Sequence, residues 1–354
     1  MHWWRSDMGR NRVCYFDVLR VVSIFFVIVI HVTSAGMKLC APVTAVWRVN
    51  WLVNSISRWA VPVFFMVSGA LFLEPSRELT LKKLYKKNIL RIVVCIIVWG
   101  FLYSLLDQYI YGTLSAKSAL VAVYGIVTGN TGYHLWFLYT LLMLYIAVPL
   151  FRLITGNASK RQLDYAFAMW GMFSLLMGQI NCFASDMGLG TDLLPFSPFV
   201  ITGYGGYFLL GYYLKSYPLH GNVKKAGYIL AAVSVCVIIF GKMLLFFAFE
   251  KETAAFELPL GVFSCLLAAM IFTIAQNLRI SDSASRILEF LGQRVFGIYL
   301  THVFFVSLVY HIWNVKPDYC QPVLAVFISS GSIFGASLIV SWILSKIPLM
   351  RRLV

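Results

Sequence analysis

Charged side chains are scarce in this sequence. Only 12% of its 354 residues are Asp, Glu, Lys or Arg, 60% are hydrophobic, and the mean hydropathy is +0.81. A soluble domain of this length exposes far more charge, so a soluble globular fold is excluded. Apolar runs of about 18 residues or more recur along the chain, and such runs are typical of membrane-spanning helices.

Motifs of soluble enzymes are also missing. The sequence has no HExxH, GxSxG, P-loop or dinucleotide-binding pattern. Its seven cysteines, an odd number without a CxxC pair, argue against a disulfide framework and against a metal site. One bridge among Cys40, Cys182 and Cys320, which fall on one predicted side of the membrane, stays open. Any chemistry must therefore rest on ionisable residues within the membrane.

The apolar runs predict an all-α, polytopic membrane bundle of about ten helices. The expected spans are residues 14–34, 52–73, 88–111, 134–153, 163–182, 199–215, 225–248, 257–276, 294–313 and 322–346. The first run contains Arg20 and lacks a small-residue cleavage site, so it is interpreted as a retained helix. Segment 113–130 is expected at the interface or re-entering. Without a linker or repeat, residues 1–354 are predicted to form one integral-membrane domain with no appended soluble domain.

The distribution of basic residues predicts the orientation. Of 29 Lys and Arg residues, 20 fall in the termini and loops of one side, five fall on the other side, and four lie within spans. The positive-inside rule then places both termini in the cytoplasm. The same residues account for the net charge of +15 through contact with anionic membrane lipid, with no need for nucleic acid.

Two ionisable residues share the first span. Arg20 lies about two turns from its cytoplasmic end and His31 near its outer end, so both fall on one stripe about 16 Å apart. Such residues cost about 2.5–3.5 kcal/mol each at the bilayer centre, which makes them candidates for function. Two alternatives stay open: Arg20 reaching the inner headgroups beside Asp17, and His31 making a helix–helix hydrogen bond.

Further candidates lie on other spans. Arg58 lies about two turns from the outer end of the second span, His134 and Trp136 begin the fourth, and His302 lies within the ninth. In purely structural terms, Arg58 would contact lipid headgroups, Trp136 would belong to an aromatic belt and His302 would pack in the core. The basic run 82–91 fits a topology anchor or a phosphate-binding segment. These residues suit either group transfer across the membrane or proton-coupled transport.

Four stretches, taken in order, resemble the acyltransferase-3 family of integral-membrane O-acyltransferases. They are YFDVLRVVSIFFVIVIH (15–31), VPVFFMVSGALF (61–72), YHLWFLYTLLMLYIAVPLF (133–151) and GQRVFGIYLTH (292–302), with a looser match in GGYFLLGYYL (205–214). The similarity covers nearly the whole chain and is strongest to short members without an extracytoplasmic hydrolase-like domain. One departure is the family's RxxR pair, which is Asn88 and Arg91 here, with Lys87 as the expected substitute charge.

The resemblance implies transfer of an acyl group, usually acetyl, from cytosolic acyl-CoA to a hydroxyl of an extracytoplasmic or lipid-linked glycan. It implies three groups of residues: Arg20, Lys87 and Arg91 for the donor, His31, Arg58 and His302 for catalysis, and Asp17, His134 and Trp136 for the acceptor or for support. In this interpretation His31 is the general base and Arg58 stabilises the oxyanion.

The expected partners follow from this interpretation. Acetyl-CoA is the donor substrate, the acceptor is a cell-surface glycan, and neither a metal nor nucleic acid is expected. The expected location is the inner membrane of a bacterium, with membrane lipid around the bundle, and homo-oligomerisation stays open. A proton-coupled transporter or exporter of a polysaccharide or small solute is the alternative.

Overall fold

A computed structural model describes residues 14–189, 203–250, 253–348 and 350–353. Within these ranges the chain is helical and has no strand. The helices are α1 (Tyr15–Leu39), α2 (Ala45–Phe72), α3 (Leu81–Ile110), α4 (Ser118–Thr128), α5 (Trp136–Asn157), α6 (Lys160–Asp186), α7 (Gly203–Ser216), α8 (Gly221–Phe249), α9 (Ala255–Gln276), α10 (Asp282–Gly292), α11 (Val295–Ile312) and α12 (Pro322–Leu344).

Nine helices in the described ranges are long and apolar enough to cross a membrane, namely α1–α3, α5, α6, α8, α9, α11 and α12. Helix α7 falls on the remaining predicted span, 199–215, whose residues 199–202 lie outside the described residues. The prediction of an all-α polytopic bundle is therefore confirmed.

Helix α1 lies in the centre of this bundle. It packs against α2, α9, α10, α11 and α12. Its Leu19, Ile24 and Ile28 side chains are at most 1% exposed. An apolar helix that is buried on several sides must bring any polar residue it carries into contact with its neighbours.

Helices α2 and α7 touch through two glycines. A Cβ added at Gly69 would lie 1.6 Å from the Phe208 carbonyl oxygen, and one added at Gly211 would lie 1.8 Å from the Met66 carbonyl oxygen. No larger residue fits at either position. These two glycines let the backbones approach closely, which is how small residues act in membrane bundles.

Helix α2 is interrupted at Arg58 and Trp59. Its two segments are Ala45–Ser57 and Ala60–Phe72. Pro62 explains the break, because proline has no N–H to donate to the Arg58 carbonyl and its ring crowds that carbonyl. The sequence therefore places Arg58 at an irregular turn in the middle of a long apolar helix.

Several predicted boundaries are wrong. Helix α2 begins at Ala45 rather than 52, because the Thr44 side chain caps it. Helix α3 begins at Leu81 rather than 88, capped by Thr80, so the basic run belongs to the helix and includes a π-helical stretch, Leu84–Ile89. The amphipathic helix α10, capped by Ser281, was expected to be loop.

Segment 113–130 folds as the short helix α4. Eleven residues extend about 16 Å, which is too short to cross a bilayer. Leu120 and Val127 are 70% and 79% exposed on it, and Gly129 ends it with a φ of 75°. The helix is apolar but packs on the bundle with one side only, as expected for an interfacial or re-entrant segment.

The first and last described residues lie at the same end of the bundle. Cys14 donates to Ser285 in α10 over 3.3 Å, and Cys95, halfway along α3, donates to the Leu353 carbonyl over 3.3 Å. At this end the Arg152 guanidinium donates to the Arg77 carbonyl over 2.6 Å. We call it the inner end, because the charge distribution predicts that it faces the cytoplasm.

Candidate active site

Three histidines from three parts of the chain meet near the outer end of α1. The ring centroids of His31 and His302 are 5.1 Å apart, those of His134 and His302 are 5.4 Å apart, and those of His31 and His134 are 6.4 Å apart. We call these residues the histidine cluster. His134 and His302 are at most 2% exposed, whereas His31 is only half-buried, so His31 is the histidine that a substrate can reach.

The tautomer of His302 is fixed by its own helix. Its Nδ1 lies 2.6 Å from the Tyr299 carbonyl oxygen, which can only accept, so Nδ1 carries the proton. The Nε2 atom of His302 is then an acceptor, and it is buried without a hydrogen-bond partner among the described residues. A histidine held in one tautomer, with a free lone pair beside a second histidine, is suited to directing proton transfer.

Asn54 of α2 holds the turn of α1 that carries His31. Its amide nitrogen lies 2.9 Å from the Ile30 carbonyl, 2.8 Å from the Thr33 hydroxyl and 2.9 Å from the Ser34 hydroxyl. Asn54 is 1% exposed. This contact ties α2 to the backbone directly before His31 and to the side chains that follow it.

His134 lies just before α5. The Tyr299 hydroxyl donates to its carbonyl oxygen over 2.9 Å, and the Tyr103 ring packs edge-on against its imidazole at 4.6 Å. Neither ring nitrogen of His134 has a hydrogen-bond partner among the described residues. Tyr133 is 58% exposed and its ring lies 5.1 Å from that of His31, so it marks the open edge of the cluster.

Arg58 lies beside the histidine cluster. Its charge acts on both His31 and Tyr204. Its Nε is buried without a hydrogen-bond partner in the described part of the chain, where no salt bridge to Arg58 is formed. A guanidinium that is not neutralised by a carboxylate can stabilise negative charge that develops on a substrate.

The inner end of α1 lies in a second group of charges, the arginine cluster of Arg20, Arg77 and Arg91. All three guanidinium charges act on Tyr145 of α5. The guanidinium carbon of Arg91 lies 4.6 Å from the centre of the Phe296 ring, a cation–π contact. Arg77 donates to the Leu71 carbonyl over 2.9 Å.

Asp17 belongs to the inner end rather than to the histidine cluster. Its Oδ1 lies 3.4 Å from Nη1 of Arg20, and its side chain is 4% exposed. It also lies against Gly292 of α10, where an added Cβ would come within 2.5 Å of Oδ1. Asp17 can therefore orient Arg20 at the inner end of α1.

The two remaining predicted residues lie outside both clusters. Lys87 is exposed on the π-helical stretch of α3. Trp136 is 39% exposed and its ring lies 5.4 Å from that of Tyr204, so it contacts the region of Arg58 through one intermediate residue. Structure thus brings together His31, His134, His302 and Arg58 at the outer end, and Arg20 and Arg91 at the inner end.

Sequence reasoning missed several residues that build these clusters. Arg77 was counted only as a charge that sets the orientation. Asn54 carried a usable signal, since a polar residue in an apolar span needs a partner. Tyr103 and Tyr145 carried none, because tyrosines are common in such helices and only the packing shows what these two contact.

The arrangement separates two chemical tasks. Histidines can accept and return a proton, and arginines can bind phosphate through paired N–H donors. Among the described residues, no group of three or more His, Cys, Asp or Glu side chains could hold a metal ion. All seven cysteines are free thiols, so no disulfide joins Cys40, Cys182 or Cys320.

Comparison with known families identifies this architecture. The family model described as an acyltransferase domain, Acyl_transf_3, matches residues 14–346. Comparisons with curated proteins and with solved structures found no match.

Proposed function

Because the chain belongs to the acyltransferase-3 family, we propose that it is an O-acetyltransferase that moves an acetyl group from cytosolic acetyl-CoA to a glycan hydroxyl across the membrane. The observation that carries this proposal is the placement of two clusters at opposite ends of α1. The arginine cluster suits the phosphates of CoA, and the histidine cluster suits activation of a hydroxyl.

The donor enters from the inner end in this proposal. Arg20 and Arg91 bind CoA phosphates, with Arg77 as an additional cation, and Asp17 orients Arg20. The extended pantetheine arm then runs along α1 over about 16 Å, the rise of eleven helical residues, and presents the thioester to His31. Lys87 is exposed, so its role is limited to long-range attraction of the anionic donor.

The transfer step uses the histidine cluster. His31 takes the proton of the acceptor hydroxyl while the oxygen attacks the thioester carbonyl, and Arg58 stabilises the oxyanion of the tetrahedral intermediate. The C–S bond then breaks, and the proton on His31 passes to the departing CoA sulfur. His302, whose ring lies 5.1 Å from that of His31, packs beside the base and offers its unprotonated Nε2 as a second proton acceptor.

The acceptor approaches from the open edge of the histidine cluster. His134, Tyr133 and Trp136 surround this edge, and exposed aromatic rings such as Trp136 and Tyr133 offer flat apolar surfaces for a sugar or lipid-linked glycan. The proposed location is the inner membrane of a bacterium, where the donor is cytosolic and the acceptor lies on the opposite side.

Radiolabelled acetyl-CoA tests this function directly. Inverted membrane vesicles containing the protein should transfer label from external acetyl-CoA to a luminal or lipid-linked glycan, and His31→Gln vesicles should not. Movement of an intact solute driven by a proton gradient, without acetyl transfer, would instead support the transporter alternative. Parallel assays with succinyl-CoA decide whether acetyl is the preferred group.

A further inference from the structure

Helix α11 carries His302 on a turn that a side chain from another helix bridges. The Tyr103 hydroxyl of α3 donates to the Leu300 carbonyl over 2.7 Å and accepts from the Phe304 N–H at 3.2 Å. In a regular α-helix these two backbone groups pair with each other. His302 lies midway between them, so the hydroxyl of Tyr103 spans the turn that presents the imidazole.

The same residue contacts a second histidine. The Tyr103 ring lies 4.6 Å from that of His134 in an edge-on arrangement, and Tyr103 is 3% exposed. One turn earlier in α3, the Gly100 carbonyl accepts from the Thr131 hydroxyl over 2.7 Å, which fixes the segment that leads to His134. The Gly100–Tyr103 turn therefore holds both the loop of His134 and the helix of His302.

We propose that Tyr103 is a positioning residue for the transfer reaction, with its hydroxyl setting the turn of His302 and its ring holding His134. This inference rests on the proposed function. Tyr103 lies twelve residues after Arg91 in α3, about 18 Å along the helix. Helix α3 thus joins the arginine cluster to the histidine cluster, as α1 does through Arg20 and His31.

Tyr103→Phe removes the hydroxyl and keeps the ring. Because a small displacement of a catalytic group slows the chemical step, we expect kcat to fall about 10- to 100-fold. The KM for acetyl-CoA should stay within about twofold, since the arginine cluster is untouched. Tyr139→Phe is the matched control: its hydroxyl also donates to a helical carbonyl, that of Ile126 at 2.7 Å, but it has no ring contact with any of the described histidines.

A second measurement does not require turnover. Diethyl pyrocarbonate labelling of the full-length protein, read at His302 by peptide mass spectrometry, should be several-fold faster in Tyr103→Phe than in wild type or Tyr139→Phe. This labelling experiment tests the positioning role of Tyr103 even if no acetyl transfer is detected in the wild type. Equal labelling in all three proteins overturns the positioning role, as does a melting temperature of Tyr103→Phe far below that of Tyr139→Phe.

Discussion

The two ends of α1 use different chemistry for different tasks. Around Arg20 the side chains are permanently charged and lie against aromatic rings, as Arg91 does on Phe296. Around His31 three imidazoles lie together beside one cation, Arg58, and the surrounding contacts are rings and backbone carbonyls. A permanent cation binds an anionic donor but cannot accept a proton, whereas an imidazole can do so near neutral pH.

Different interactions hold the side chains in place at the two ends. At the inner end, the charges of the three arginines act on one tyrosine, Tyr145. At the outer end, Asn54, Tyr103 and Tyr299 bond to backbone atoms of the segments that carry the histidines. Backbone fixation sets geometry, which proton transfer requires, and a charge cluster tolerates more movement because Coulomb forces vary slowly with distance.

Labelling of introduced cysteines tests which of the two ends faces the outside of the cell. A cysteine at Lys117, near the outer end, should react with an impermeant thiol reagent applied to intact cells, and a cysteine at Lys160 should not. Both lysines are exposed, so accessibility within the fold does not differ. The background must lack Cys40, Cys182 and Cys320. The opposite pattern would place the histidine cluster in the cytoplasm and reverse the proposed direction of transfer.

His31→Gln tests the chemistry of the outer end. Glutamine keeps similar size and can hydrogen-bond, but it cannot accept the proton, so we expect transfer to fall about 10²- to 10⁴-fold. Donor binding should persist, because the arginine cluster is unchanged. His311→Gln, an exposed position on the same membrane side, serves as the control for membrane abundance. Near wild-type turnover in His31→Gln would remove the base assignment and make His302 the next candidate.

Arg20→Ala tests the inner end. Loss of a charge-assisted contact to phosphate should raise the KM for acetyl-CoA about 10- to 100-fold and leave the KM for the acceptor unchanged. Arg20→Lys should recover part of this loss, because it keeps the charge but not the planar fork. Arg48→Ala, an exposed arginine at the opposite end of the bundle, should have no effect. Equal changes in both KM values would contradict a donor-specific role.

The smallest effect concerns the ion pair between Glu74 and Lys215 at the inner end, 2.8 Å long. Partial burial raises the pKa of Glu74, but hydrogen bonding and attraction from Lys215 outweigh it, so the pKa lies below its ordinary 4.5. The pair stabilises the fold above that value, and its contribution is lost as pH falls through the depressed pKa.

Glu74→Gln should therefore lower the free energy of unfolding by about 0.5 kcal/mol at pH 7 and by less below pH 4. Thermal unfolding in detergent at the two pH values measures this difference. Glu78→Gln, at an exposed position of the same loop, is the control. A loss for Glu74→Gln that does not shrink in acid would mean that its carboxylate does not act through the ion pair.

The sequence predicted most of the helices but placed some ends wrongly. Apolar runs locate spans because a bilayer imposes their length and composition. The start of α2 was missed because Asn50 looks like a loop residue, although it is buried within the helix. Helix α10 was missed because its apolar face is narrow, and amphipathic periodicity over eleven residues is easily read as loop.

Some features of the candidate site can likewise be predicted from the sequence, and others cannot. The periodicity of one helix determines that Arg20 and His31 share a stripe, so the sequence alone establishes that spacing. Charge counting establishes which ends of the helices carry most basic residues. Pro62 accounts for the break at Arg58 through its missing N–H, but Pro149 leaves α5 unbroken, so a proline in the sequence does not by itself predict a break.

Tertiary structure alone decided which residues meet. His31, His134 and His302 are separated by more than a hundred residues each, and their approach depends on how α1, α5 and α11 pack. The tertiary structure also places Lys87 on the surface and Arg77 at the inner end. It sets the Tyr103 hydroxyl against the turn of His302. Helical period fixes neighbours within a helix, whereas neighbours between helices follow from side-chain shape and close contacts such as those at Gly69 and Gly211, which a single sequence does not reveal.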